Sequence, residues 1–313
     1  MSRVKKVHDL PTAPARDGLL PDAEPRFGPV LAQALMDAST PKPVVGDAPM
    51  RFSDAGTCAR ALALAAIDAE REPMDLSGHH VTNMGTLVHE AWQAALGEVY
   101  GDRITFEVSA TIHDEDGRLL AGGSCDGLLV EDDGTRTLLE LKTVGGFAYK
   151  MQVGERGRAE GPKNEAIIQA ALNARAHDAD RIVLVSLARD AISKGLAERK
   201  GFDEVTRFSA EWTFTREQLD EVADLELKRV GRVLDLLDDG LLAPRHLPDM
   251  PQGARIVDTE RGRWELRDGD AVVDTGSTWW CGYCPFQPTC RTQGADEHPI
   301  ADGAMTLDLG GAA

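Results

Sequence analysis

Three side chains near the middle of the chain have the types and spacing needed to cleave a phosphodiester. Asp126 sits in Gly122-Gly123-Ser124-Cys125-Asp126-Gly127, and after thirteen intervening residues comes Glu140-Leu141-Lys142. Two carboxylates held close together repel unless a cation lies between them or one takes up a proton. Hard oxygen ligands suit Mg²⁺ or Mn²⁺. The ammonium of Lys142 can orient or activate a water, or offset charge developing on a phosphate. The same residues also suit a solvated hairpin edge, and an E-x-K on a strand often arises by chance.

A second set is sulfur. The five cysteines are Cys58, Cys125, Cys281, Cys284 and Cys290. An odd number in a cytoplasmic chain argues against a disulfide framework. The last three form C-x2-C-x5-C, a spacing typical of soft-metal ligation. Three thiolates need a fourth ligand to complete a Cys₄ zinc site or an iron–sulfur cluster. Cys58 is the natural candidate, because Cys125 neighbours Asp126 in a strand and would face away from it.

The elements that must position these groups are legible in outline. Residues 122–144 read as two strands joined by the turn Glu131-Asp132-Asp133-Gly134, and alternation places Glu140 and Lys142 on one face of the second strand. In the simplest register Asp126 comes near Glu140. A strand over 104–112 and the turn Asp114-Glu115-Asp116-Gly117 complete an antiparallel meander. Before it, residues 82–100 predict an amphipathic helix capped by Thr82 or Asn83. Its apolar stripe is Met84, Leu87, Val88, Ala91, Ala95 and Val99, with His89 beside it. Ser53 or Asp54 is expected to cap a helix that holds Cys58 in its early turns.

After the meander, residues 145–164 read as a Gly-rich loop, the most cationic short segment in the chain. It carries Lys150, Arg156, Arg158 and Lys163, which suit a phosphate backbone, and Phe147 and Tyr149, which could stack on bases. A helix over 164–177, capped by Asn164, has Gln169 in its middle. A strand over 181–189, a charged connection, a strand over 210–215 and a long helix opened by the capping box Thr215-Arg216-Glu217-Gln218 follow. Gly240 ends that helix, and a strand pair is expected around 263–265 and 271–273.

The formal net charge of −18 opposes nonspecific attraction to nucleic acid, so any such partner requires a local basic groove and divalent cations. No run reaches the roughly 18 apolar residues of a membrane span, and the first residues lack the apolar core of a signal peptide. A soluble cytoplasmic protein with no membrane partner is expected. Residues 1–48 read as a flexible or loosely docked extension with a short helix over Pro29–Met36, 49–292 as one domain, and 293–313 as a flexible tail. No G-x-x-x-x-G-K-[ST] occurs, so no motor is expected.

Taken together, these residues resemble the iron–sulfur members of the RecB-like branch of the PD-(D/E)XK nucleases, such as AddB-type nuclease domains and stand-alone RecB-like exonucleases of CRISPR systems and phages. The resemblance spans about residues 52–292. It rests on an early Cys58, on Gly85-Thr86-Leu87-Val88-His89-Glu90, on Gly123-Ser124-Cys125-Asp126-Gly127, on Glu140-Leu141-Lys142, on a helix with Gln169, and on the late cysteines. It implies an α/β fold with a restriction-endonuclease-like core, a mixed central sheet flanked by helices, and an iron–sulfur patch joining the N- and C-terminal segments. It implies that His89, Asp126 and Glu140, with the Leu141 carbonyl, bind Mg²⁺ or Mn²⁺, and that Lys142 positions or activates the attacking water. Gln169 would begin the family's Q-x-x-x-Y helix, where this chain has Asn173 in place of the aromatic residue. A 4Fe–4S cluster would be held by Cys58, Cys281, Cys284 and Cys290. The implied function is a metal-dependent DNA exonuclease acting on single strands or frayed ends, in recombination and repair, phage DNA metabolism or CRISPR adaptation. A structure-specific endonuclease and a non-catalytic DNA-binding module of the same fold are the alternatives.

Overall fold

The computed structural model describes residues 45–244, 254–259, 263–268, 271–277, 284–291, 293 and 298–299. The expected short helix at Pro29–Met36, most of the N-terminal extension and Cys281 lie outside the described residues.

Five strands form the central sheet: β1 (Ile104–His113), β2 (Leu119–Val130), β3 (Arg136–Val144), β4 (Arg181–Ala188) and β5 (Ser209–Thr215), in that spatial order. The first three make the expected antiparallel meander. β4 then runs parallel to β3, and β5 antiparallel to β4. The parallel step needs a crossover. It is supplied by α3 (Gly146–Gln152) and α4 (Asn164–Ala176). The expected class, α/β with a mixed central sheet flanked by helices, is what the chain adopts.

The helices complete the layers. Cys58 is itself the N-cap of α1 (Ala59–Ala66), preceded by a 3₁₀ turn at Phe52–Asp54, so neither Ser53 nor Asp54 caps that helix. α2 spans Leu76–Tyr100, and its N-cap is Asp75, whose carboxylate accepts from the Gly78 amide at 2.7 Å. The helix therefore starts about two turns before the expected caps, because nothing in 76–81 interrupts it. α5 (Lys194–Lys200) lies in what reads as a mere connection, and α3 in what reads as a loop. α6 (Arg216–Asp238) opens on the expected capping box, with Gln218 returning a bond to the Thr215 amide at 2.8 Å.

One main core lies between the sheet and α1, α4 and α6, with Leu62, Leu64, Leu138, Leu172, Ile182, Leu184 and Val230 almost wholly buried. Tyr149, Ala188, Ile192 and Ala197 form a smaller core under α3 and α5. α2 is the exception. It lies across β1, β2 and β3 yet buries no side chain completely. Its expected apolar stripe, apart from Val88, points outward, with Leu87 59% and Val99 70% exposed. The sheet-facing side is half-buried and carries Gly85, Val88, His89, Trp92, Gln93 and Leu96. Gly85 and Gly97 face the sheet with room for a side chain, since a Cβ would make ordinary van der Waals contact, 3.5 Å from Thr143 Oγ1 and 3.7 Å from the Phe106 ring.

Val45–Asp47 forms a 3₁₀ turn, and the Val45 carbonyl lies where a Cβ on Gly122 would come within 2.7 Å, so that strand position requires glycine. His298–Pro299 pairs antiparallel with β6 (Leu241–Leu242). β7 (Ala254–Thr259), β8 (Arg263–Asp268) and β9 (Ala271–Ser277) form a separate antiparallel sheet.

The burial contrast has a measurable consequence. Leu172→Ala should cost about 2–5 kcal/mol of stability in urea unfolding. Leu87→Ala should change it by no more than about 0.5 kcal/mol. Equal costs would contradict the outward orientation of the α2 stripe.

Candidate active site

The site forms where two strands part. The β2–β3 ladder ends at Gly127–Leu139, while β3 runs on to Val144 against β4 and the earlier half of β2 pairs with β1 and, at Gly122, bridges Arg51. The Leu141 amide, which β2 no longer reaches, donates to Asp126 Oδ2 at 2.7 Å. A buried amide needs an acceptor, and here the Asp126 side chain replaces a missing ladder bond. That contact brings Asp126 beside Glu140, as the simplest hairpin register implies.

Glu140 is fully buried. Its Oε1 lies 2.7 Å from Lys142 Nζ, a close charge pairing without the alignment of a hydrogen bond. Its Oε2 accepts from Asn173 Nδ2 at 3.1 Å. Burial pushes the Glu140 carboxyl up to about 7, the Lys142 charge opposing this and Asp126 adding to it. Burial pushes the Lys142 ammonium the other way, but Glu140 and Asp126 outweigh it and raise its pKa. Lys142 also donates to Gln169 Oε1 at 2.8 Å. Gln169 and Asn173 are four residues apart on one face of α4. The helix thus presents one amide to the lysine and the next to the glutamate.

His89 comes from α2. Its Nδ1 lies 3.4 Å from Asp126 Oδ1. The Asp126 contact holds the imidazole above its ordinary pKa against the effect of burial. The structure therefore brings His89, Asp126, Glu140, Lys142 and Gln169 together. Asn173, which the sequence marks only as a departure from an aromatic position, joins them as a Glu140 partner. Its signal was the four-residue spacing from Gln169. Leu141 contributes its amide to Asp126 and buries its side chain.

The cationic segment divides. Tyr149 is fully buried and donates to the Thr206 carbonyl at 2.7 Å, so it is a core residue and cannot stack on a base. It lies on α3, whose inner side must fill the smaller core. Phe147 is 64% exposed, with the Arg156 guanidinium 4.7 Å from its ring centre. Arg156 and Arg158 border a surface hollow with Met151 and Glu160. Lys163 is the N-cap residue of α4, and Lys150 lies in the last turn of α3.

Three of the four late- and early-chain cysteines also approach one another. The Cys284 thiol is raised by burial and by the neighbouring Cys58 and Cys290 sulfurs. The turn before Cys58 is held from α6. Buried Glu226 accepts from the Gly56 amide at 2.9 Å, and Arg229 donates to the Thr57 carbonyl at 2.9 Å. From the other side the Glu72 amide donates to the Pro285 carbonyl at 2.8 Å, and Arg71 covers the Phe286 ring. Cys125 is buried in the main core, its thiol pushed up to about 12 by burial.

Among the described residues no three His, Cys, Asp or Glu side chains are arranged as a ready metal cage. The donor chemistry nonetheless fits. Glu140 Oε1 is a buried oxygen without a hydrogen-bond partner, flanked by a second carboxylate and an imidazole, a hard set suited to Mg²⁺ or Mn²⁺. The Cys284 thiol, raised by burial and by the Cys58 and Cys290 sulfurs beside it, would ionise more readily next to a soft cation.

No protein-family model matches the chain, and no curated protein does. Solved structures give remote matches. SSO0001 is 12% identical, covering 64% of this chain and 85% of its own, with a TM-score of 0.40. An alkaline exonuclease from Laribacter hongkongensis is 16% identical, covering 63% of this chain and 95% of its own, with a TM-score of 0.39. The same enzyme in complex with dAMP is 16% identical over 61% and 91%, with a TM-score of 0.38. Matches this remote assign no function to the chain.

Burial of Glu140 sets a pH dependence in protein freed of metal by EDTA. Its folded pKa lies above the unfolded value of 4.5, so the unfolded chain gives up the proton first. The stability this group contributes is present below pH 4.5 and is lost as pH rises to about 7. Urea unfolding across that window should show the decline in the wild type and a flatter profile in Glu140→Gln. Identical profiles would contradict the burial.

Proposed function

We propose that the chain is a metal-dependent deoxyribonuclease that hydrolyses phosphodiester bonds of DNA from free ends, with single strands or frayed ends as substrate. The observation that carries this reading is the meeting of Asp126, Glu140 and Lys142 where β2 and β3 part. A buried carboxylate, a second carboxylate and an ammonium at a sheet notch serve no packing purpose that apolar residues would not serve better. They suit attack by water on a phosphate diester.

In this reading Asp126 and Glu140, with His89 and the Leu141 carbonyl, hold Mg²⁺ or Mn²⁺. When bound, the cation polarises a phosphoryl oxygen and lowers the pKa of water. Lys142 orients the attacking water and offsets charge developing on the phosphate. Gln169 aims the Lys142 ammonium, and Asn173 fixes the Glu140 carboxylate so that Oε1 faces the notch. Lys150, Arg156, Arg158 and Lys163 follow the phosphate backbone, and Phe147 offers an exposed ring to a base. Cys58, Cys284 and Cys290, with Cys281, hold a 4Fe–4S cluster that ties the two ends of the domain and takes no part in hydrolysis. A brown protein absorbing near ~400 nm distinguishes it from a zinc site.

The test is digestion of end-labelled single-stranded DNA by anaerobically purified protein with Mn²⁺, with Mg²⁺ and with EDTA. Asp126→Ala, Glu140→Ala and Lys142→Ala should each lower the rate by about 10²-fold or more with the fold intact. A covalently closed circle should stay uncut, and its cleavage would indicate an endonuclease. Full activity in any of the three variants would remove that residue from the site. DNA binding without cleavage under any metal would leave a non-catalytic module.

A further inference from the structure

Glu107 stands in the middle of β1 with φ +51, in the left-handed region. Phe106 and Val108 pair with Gly127 and Cys125, and the ladder skips the 107–126 pair. Glu107 is therefore directly across from Asp126. A side chain such as Glu disfavours this backbone, which Gly or Asn adopts readily. A residue kept there against its preference points to use of its side chain.

That side chain bridges two elements. Glu107 Oε1 accepts from Gln93 Nε2 of α2 at 3.2 Å, and Oε2 accepts from Ser124 Oγ of β2 at 3.1 Å. Gln93 lies one turn beyond His89 on the same helix face, and Ser124 two residues before Asp126 on the same strand face. The bridge therefore runs beside the 3.4 Å His89–Asp126 contact, one rung along the helix. α2 buries no side chain completely, so apolar packing alone does not fix its height and rotation over the sheet.

We propose that Glu107 is a positioning residue: its carboxylate ties Gln93 to Ser124 and so fixes α2, and with it His89, over Asp126. The role of His89 rests on the nuclease reading above, while the tether itself is a property of the fold.

Three variants test this: Glu107→Ala, Glu107→Gly and Glu107→Gln. Glycine removes the carboxylate and also relieves the backbone, so Glu107→Gly should melt about 2–4 °C above Glu107→Ala. Despite that gain, both should show amide exchange across 86–97 about tenfold faster than the wild type. Both should lose about 10–100-fold in kcat on DNA, with KM unchanged within about twofold. Glu107→Gln has the same length and can still bond both partners, so it should restore exchange protection and most of kcat. Unchanged exchange in Glu107→Gly would overturn the proposal, as would a loss in KM alone or failure of the glutamine to rescue. If the wild type cuts no DNA, the nuclease reading fails by itself, and the exchange rates still decide whether the tether exists.

Discussion

A carboxylate buried at the centre of a sheet is costly unless its surroundings compensate it, and the middle of this fold is organised around compensating Glu140. Lys142 supplies the opposite charge from the same strand, two residues on. Asn173 supplies a hydrogen bond from the crossover helix. Asp126 approaches from β2 only because the β2–β3 ladder has ended, which frees the Leu141 amide to bind it. The parting of the strands creates the space, and the polar groups that fill it keep the sheet from closing. Burial then leaves Glu140 with a raised pKa, its Oε1 paired with the Lys142 ammonium.

The two helices that border the notch are held in different ways. α4 is anchored by Ala170, Ala171, Leu172 and Ala174, all buried in the main core, so Gln169 and Asn173 are presented by a rigid element. α2 lies on the sheet through half-buried residues, among them Val88, Trp92 and Leu96, and through polar rungs, while Met84, Leu87 and Val99 turn outward. One side of the site is fixed by close packing and the other by hydrogen bonds that are individually weak.

The acidic balance of the chain is managed locally. Arg175 is engaged by Asp220 and Asp224, and Arg118 by Asp235 and Asp238, all four acids lying on α6. The cationic segment after β3 differs, since Arg156 stacks on an exposed ring and meets its neighbour Glu155 only at 3.7 Å. Polar contacts also join early and late parts of the described chain. Arg60 is fully buried, with bonds to the Ala243 carbonyl and, at 3.0 Å, to Gln293 Oε1. Cys58, two residues before Arg60, neighbours Cys284.

The sequence by itself determined what depends on local periodicity and short hairpins. The meander, the alternation that puts Glu140 and Lys142 on one face, and the capping box at Thr215 all follow from residues close in the chain. So does the approach of Asp126 to Glu140, because one tight turn sets the register between them. Tertiary structure alone decided which face of α2 meets the sheet. Periodicity located an apolar stripe, but the side that meets the sheet carries Gly85, Val88, His89, Trp92, Gln93 and Leu96, while Met84, Leu87 and Val99 stay exposed. Tyr149 was misread for the same reason, since its burial depends on α5 and the end of β4, which the sequence around it does not reveal. The place of Asn173 on Glu140 and the left-handed backbone of Glu107 across from Asp126 likewise arise between elements distant in the chain. Local patterns report a residue's own helix or strand, whereas the partner that fills the space opposite is set by packing of the whole domain.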